Sequence, residues 1–324
     1  MKNRKVYIEI LNTRYEIIDT QNNITLADSF LLNKIGKGHG EAKLYIGNSS
    51  EELYEFWENF SNENIEYFIL KNDCYSYLQK AENEYKNPSQ NYINKENFSS
   101  IYSKNLEYLN KISDEKLTFE ITLSEVKPPR IYLKSNAIFN IIRSIALPNF
   151  SYISVIKMKE VKTKKIHFYF KLFFADNSTE LNNVYETTEN LKNTNININI
   201  NNNIRKGQAK YREKLLEDCS FCPITLVNDE RILIASHIKP YAKSNEKEQF
   251  DVNNGFIFTP TYDRLFDKGF ISFNDDKTML VSVWLSPLNQ KRLNIYNGKK
   301  IEKLPLNDER KKYLEYHRNN IFKK

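Results

Sequence analysis

The chain of 324 residues contains no apolar run approaching the roughly 20 residues that a membrane-spanning helix needs. Its first residues, MKNRKVYIEI, show no apolar core followed by a small-residue cleavage site, so no secretory signal is visible. Cysteine is scarce: Cys74, Cys219 and Cys222 are too few for a disulfide framework, which suits a reducing cytoplasm. They also argue against structural zinc. Cys219 and Cys222 form one C-x-x-C, but a closed zinc site wants four ligands and no second pair follows. Glycine is rare as well, with 8 residues. The segment KGHGEAKLYIG has glycines at 36, 38 and 40 but no following Lys-Ser/Thr, so it is a turn and not a nucleotide-binding loop. His39 within it is a candidate contact residue.

What is present points to folded protein over most of the length. Apolar residues make up 40%, with 21 Tyr and 20 Phe to fill cores, and the chain is long enough for two domains. The net charge of +7 is unevenly spread. Residues 1–100 are slightly acidic, residues 101–200 are basic, and residues 201–324 are the most basic. A polyanionic partner is compatible with this, although many basic proteins never touch nucleic acid. The clearest break is NLKNTNINININNNIRKGQ, from Asn190 to Gln208, where nearly every second residue is Asn. With little to bury it reads as a linker over 186–206, the alternative being a polar strand in which Ile196, Ile198 and Ile200 alternate with Asn. The expected organisation is an α+β domain over 1–185, the linker, and a second domain over 207–324.

Within the first domain, KVYIEILNTRYEIID alternates as a strand pair, and SSEELYEFWENFSN reads as a helix opened by a Ser cap. Another helix is expected near Asp73 to Tyr85, and SNAIFNIIRSIAL reads as a short amphipathic one. LTFEITLSEV, SYISVIKMKEV and KKIHFYFKLFFAD read as strands. In the second domain AKYREKLLEDC and TYDRLFDKG are helical, the latter stopped by Gly269. RILIASHI, GFIFTP, ISFND and LVSVWL are strands, and DERKKYLEYHRNNIF is a helix.

The chemistry concentrates in ILIASHIKPYAKSNEKEQFDVNNGFIFTPTYDRLFDKGFISF. There are only four histidines, and His237 ends an apolar strand directly before the turn-forming Lys239-Pro240, at the rim of a fold. Histidine is the side chain whose ordinary pKa suits a general base near neutrality. Asn254 precedes Gly255 at the turn into a strand, with Asn253 the alternative if the register slips. Asp263 and Asp267, four apart, project from one face of a helix, and paired carboxylates suit a hard cation. Lys239, Arg264 and Lys268 on the same unit are candidates for phosphate contacts, or else solvated surface charges.

These motifs, in this order, resemble a branch of the HNH nucleases that reads SHIKP, then NG before an apolar strand, then LFD-x-G. The branch often opens with a GQ-x-x-(F/Y)R helix and a Cys-x-x-Thr turn, matched by GQAKYR from Gly207 and CPIT from Cys222. The resemblance covers about 85 residues. It implies a C-terminal ββα-metal fold, double-stranded DNA as substrate, His237 as general base, and Asn254 bracing the strand–loop–helix unit. It also implies a divalent metal. The third family letter, His, is Asp263 here, which favours Mg²⁺ or Mn²⁺. Just before the base, where many members carry Asp or His as a ligand, stands Ser236, a weaker one.

No family resemblance marks residues 1–185. The hairpin KMKEVKTKKIHFYFK places Lys157, Lys159, Lys162, Lys164 and Lys165 where they could line a DNA backbone, or form a solvated tip. An HNH module gripping phosphates through its own contacts has little sequence preference, so a long extra domain would supply target choice. The expectation is a restriction-type DNA endonuclease, with a homodimer for a double-strand cut. The alternatives are a modification-dependent nuclease and a non-catalytic DNA-binding protein with a degenerate HNH fold.

Overall fold

The structure, a computed structural model, describes residues 5–26, 30–35, 45–48, 56–57, 65–123, 130–133, 137–174 and 198–324. The chain divides into two compact units, Met1–Asp176 and Asn177–Lys324. The expected boundary at 185, the glycines at 36, 38 and 40 with His39, and most of the helix expected over 49–62 lie outside the described residues.

The first unit is built on a six-stranded sheet. Its strands are β1 (Val6–Ile10), β2 (Thr13–Thr25), β4 (Ile65–Leu70), β5 (Lys116–Phe119), β8 (Ser151–Glu160) and β9 (Ile166–Phe174), in the order β1-β2-β8-β9-β4-β5. All neighbours are antiparallel except β4 and β9. A smaller sheet joins β3 (Tyr45–Asn48), β7 (Arg130–Leu133) and β6 (Ile121–Leu123) in that order. The helices are α1 (Lys71–Lys86), α2 (Phe98–Lys111) and α3 (Ala137–Ile145). Alternation along β8 and β9 sends Ile153, Val155, Phe168, Phe170 and Leu172 into one core with Cys74, Leu78 and Ala81 of α1. Trp57 stacks on Phe168 at 4.8 Å within that core.

The hairpin between β8 and β9 corrects one expectation. Lys157 pairs with Phe168 in register and is buried, so it is not part of a solvent-facing basic row. The strand period decides this, because Lys157 shares a face with Ile153 and Val155. Lys159 is half-buried, whereas Lys162, Lys164 and Lys165 stand exposed at the tip, where Lys164 takes a positive φ of 65°.

The second unit opens with α4 (Ile198–Asp218), followed by β10 (Ile234–His237), β11 (Gly255–Phe258) and α5 (Pro260–Asp267). A second hairpin, β12 (Ile271–Phe273) and β13 (Met279–Val281), precedes α6 (Pro287–Arg292) and α7 (Asp308–Asn320). The linker expected over 186–206 is helical from Ile198 onward, and residues 186–197 lie outside the described residues. Once the apolar turns of α4 at Tyr211 and Leu215 are packed, each residue added at the N-terminal end gains a backbone hydrogen bond without a new nucleation cost. The core is drawn from Tyr211, Leu215, Leu233, Ile238, β11, Phe266, Phe273, Met279, Ile301 and Leu314, all within this unit.

A fragment comprising residues 198–324 is therefore expected to fold alone. Circular dichroism should show one cooperative thermal transition, and a non-cooperative melt would show that this core needs the rest of the chain.

Candidate active site

Strands β10 and β11 are short and antiparallel, with Ser236 opposite Phe256 and His237 opposite Gly255. All four residues of β11 are buried. Between the strands runs a loop of short 3-10 turns at Tyr241–Lys243, Glu248–Phe250 and Val252–Asn254. Asn254 closes this loop. Its side chain is fully buried and uses both ends: Oδ1 accepts from the Lys239 backbone N–H at 2.7 Å. The amide nitrogen Nδ2 donates to Lys239 O (3.1 Å), Ser244 Oγ (3.2 Å) and Glu248 O (3.0 Å). Glu248 in turn accepts from Lys239 Nζ at 2.6 Å and from the Asn245 N–H at 2.9 Å, and the lysine bond holds its carboxyl below the usual range.

That loop delivers the Gln249 carbonyl to His237, whose Nε2 lies 3.0 Å from it. A carbonyl can only accept, so Nε2 carries the proton and the lone pair of the neutral ring sits on Nδ1. Burial pushes the His237 pKa down, opposed by the bond to Gln249. Tyr211 stacks on one face of the ring at 4.4 Å, and Tyr241 meets it edge-on at 5.7 Å.

Helix α5 begins after Thr259 with Pro260 in its first turn, where a missing N–H costs nothing. It ends at Gly269, which adopts φ +68°. A side chain there would run into the backbone of Ile321 and Phe322. Asp263 and Asp267 from this helix line one cleft of about 340 Å³ together with Ser236 and His237. The structure thus brings four of the expected site residues together, while Asn254 stands behind them as a brace. Arg264 is exposed on α5 and Lys268 half-buried at its end. Lys239 is compensated by Glu248 and also lies over the Tyr316 ring. Lys162, Lys164 and Lys165 belong to the other unit.

Among the described residues no three His, Cys, Asp or Glu side chains form a metal-holding group. The donors that line the cleft fit a hard divalent cation of the kind that takes one or two carboxylates and completes its shell with water and phosphate oxygens. Ser236 Oγ supports this fit: it is buried without a hydrogen-bond partner among the described residues, on the wall of the same cleft. The cysteines do not extend the site. Cys222 is in the core, and Cys219 donates its S–H to Phe221 O, with burial pushing its thiol pKa up.

Two residues that sequence reasoning missed hold this site from α7. Arg310 is almost wholly buried and donates to Gly255 O, Val252 O and Asp218, tying α7 to β11 and to the end of α4. His317 stacks on Phe266 of α5 at 3.9 Å. Its Nε2 donates to the Phe266 carbonyl at 3.1 Å, leaving Nδ1 to accept from Ser272 Oγ at 3.0 Å. Neither position carries a signal in sequence, since both lie in a helix whose composition is that of a solvated one.

Residues 222–274 match a family model described as HNH endonuclease. A comparison with curated proteins gave no match. The C-terminal unit carries an HNH nuclease domain, and HNH nucleases in general use divalent metals and act on DNA. No helix among the described residues is long and apolar enough to cross a membrane.

His317 makes the stability of this unit pH-dependent. Burial pushes its pKa down to about 3, against an ordinary value of 6.5. The unfolded chain therefore takes up a proton below 6.5 that the folded chain refuses until about pH 3. The contribution of His317 is complete well above pH 6.5 and should fall as the pH drops through this window, by up to about 1.4 kcal/mol per pH unit. Urea unfolding of the 198–324 fragment at several pH values should show a shallower decline for His317→Gln, and equal slopes would remove His317 as the cause.

Proposed function

We propose that the HNH domain makes this chain a restriction-type DNA endonuclease, with His237 as general base and the Met1–Asp176 unit selecting the target. The observation that carries the reading of His237 is the 3.0 Å contact from its Nε2 to the Gln249 carbonyl: a carbonyl can only accept, so Nε2 carries the proton and Nδ1 is the atom left to accept one. Hydrolysis then follows from ordinary acid–base chemistry. A water placed against Nδ1 gives up a proton as its oxygen attacks phosphorus. The P–O bond to the leaving sugar oxygen breaks, that oxygen keeps the bonding pair and takes a proton from solvent water, and the new imidazolium keeps its Nε2–H bond to Gln249. Burial favours the neutral ring beforehand, which keeps the base available at neutral pH. A divalent cation, Mg²⁺ or Mn²⁺, held by Asp263 and Asp267 would neutralise charge that develops on the phosphate. Arg264 and Lys268, on the helix that supplies those carboxylates, are proposed phosphate contacts.

Target choice is assigned to the first unit because contacts to phosphates fix position without reading sequence. That unit has its own core and an exposed basic tip at Lys162, Lys164 and Lys165. One HNH site cuts one strand, so a double-strand cut is proposed to come from a homodimer.

Incubation with plasmid DNA and Mg²⁺ should give cleavage that EDTA abolishes, and His237→Ala should lower the rate on the order of 10²- to 10⁴-fold. Discrete fragments from unmethylated DNA are expected. Cleavage confined to methylated DNA would replace target-sequence choice with modification dependence, and no cleavage with any divalent metal would overturn the nuclease reading. Replacing Lys162, Lys164 and Lys165 by Gln should weaken binding evenly across sequences. It should also flatten the salt dependence by roughly one unit for each phosphate no longer neutralised. Unchanged affinity would make the tip a solvated turn.

A further inference from the structure

We infer that Tyr211 is a positioning residue that sets the plane of the His237 imidazole, an inference resting on the reading of His237 as general base. Tyr211 belongs to α4, outside the matched residues 222–274. Its ring lies nearly parallel to the imidazole, 4.4 Å away at 15°, and it is almost wholly buried. Its hydroxyl donates to the Asn254 carbonyl at 2.9 Å. The stack is therefore anchored to the residue that also closes the loop carrying Gln249.

The bond from Nε2 to Gln249 cannot define the ring alone. The axis about which an imidazole turns, along Cβ–Cγ, leaves the ring between Cε1 and Nε2, and one hydrogen bond is a weak restraint on rotation about it. Rotation about it carries Nδ1 through the wider arc and also turns the Nε2–H away from the Gln249 carbonyl, so a loosened ring loses both its aim and its fixed tautomer. A face contact is what restricts that rotation. Tyr211 provides one face, and Tyr241 limits the ring edge.

The opposite strand is shaped to admit this contact. Gly255 pairs with His237 in register, and a Cβ there would collide with the Tyr211 hydroxyl and with Leu215. Its φ is −158°, extended backbone that any residue adopts, so space and not conformation requires the glycine. The Asn-Gly pair accordingly serves the base twice, the Asn through the loop and the Gly by leaving room for Tyr211. When the base takes a proton, the Tyr211 π-face lies against the resulting cation, a favourable arrangement.

The test compares Tyr211→Phe, which keeps the ring, with Tyr211→Leu, which removes it, and with Leu215→Ala, which opens a cavity one turn along the same helix. Tyr211→Phe, which keeps the ring and loses only the hydroxyl bond to Asn254, should lose far less kcat than Tyr211→Leu. Tyr211→Leu should lose kcat on the order of 10- to 100-fold at little-changed KM, and more than Leu215→Ala. Nitrogen-15 NMR of the His237 ring, recorded without DNA or metal, should show a single Nε2–H tautomer that becomes averaged in Tyr211→Leu only. Ring-nitrogen signals unaltered in Tyr211→Leu, or a kcat loss no greater than that of Leu215→Ala, would overturn the inference. So would a Tyr211→Phe protein as impaired as Tyr211→Leu. If the unaltered protein cleaves no DNA, the nuclease reading fails separately, and the NMR comparison still decides whether Tyr211 orients the ring.

Discussion

A buried amide has no water to turn to and must find its partners in the chain. Asn254 finds them on the loop that it closes: Lys239 N–H and C=O, Ser244 Oγ and the Glu248 carbonyl. Leaving any of these unmade inside a dry core would cost on the order of 1–3 kcal/mol per group. The loop has in effect one low-energy shape, and that shape presents the Gln249 carbonyl to His237. The orientation of the His237 ring rests on this. An aliphatic residue at 254 could fill the volume but would not specify where residue 249 points.

The remaining support comes from both flanks. From the N-terminal side α4 brings Tyr211 to His237, and from the C-terminal side α7 brings Arg310 and His317. Arg310 is a buried cation, which is costly unless its hydrogen-bond donors are used. Its bonds to Gly255, Val252 and Asp218 join three segments that are far apart in sequence. His317 fixes Phe266, which lies between the two cleft carboxylates on α5. His237 and the cleft carboxylates are thus seated by different elements, each packed into the same core.

The strand pair and helix around His237 were legible because each carries local information. RILIASH is apolar up to its histidine, Asn-Gly marks the turn, and Gly269 stops a helix of apolar periodicity. The strand of RILIASHI is nevertheless shorter than the pattern, since Glu230–Ile232 turns before it. Other features depended on distant partners. Helix α2 is diluted by Ser and Asn, and the half-buried or buried residues that fix it, Phe98, Ile101, Tyr102 and Leu109, are held by contacts with other elements. Lys157 looked like part of a basic row until strand register turned it inward. Burial of Arg310 and His317 likewise depends on Gly255, Asp218 and Phe266, which no window around them contains. Ser236 was legible as a departure from the family pattern, but its unpartnered, buried hydroxyl was visible only in three dimensions.

The placement of these supports bears on how such a domain can be inherited and recombined. The matched stretch of residues 222–274 contains His237, Asp263 and Asp267, yet Tyr211, Arg310 and His317, which pack around them, lie beyond its two ends. A crossover at the edges of that stretch would separate the cleft side chains from the residues that hold them in place. The unit that can be exchanged intact begins within α4 upstream of Tyr211 and extends through α7. A neighbouring domain joined ahead of that helix would leave its aromatic face and the terminal helix to travel together.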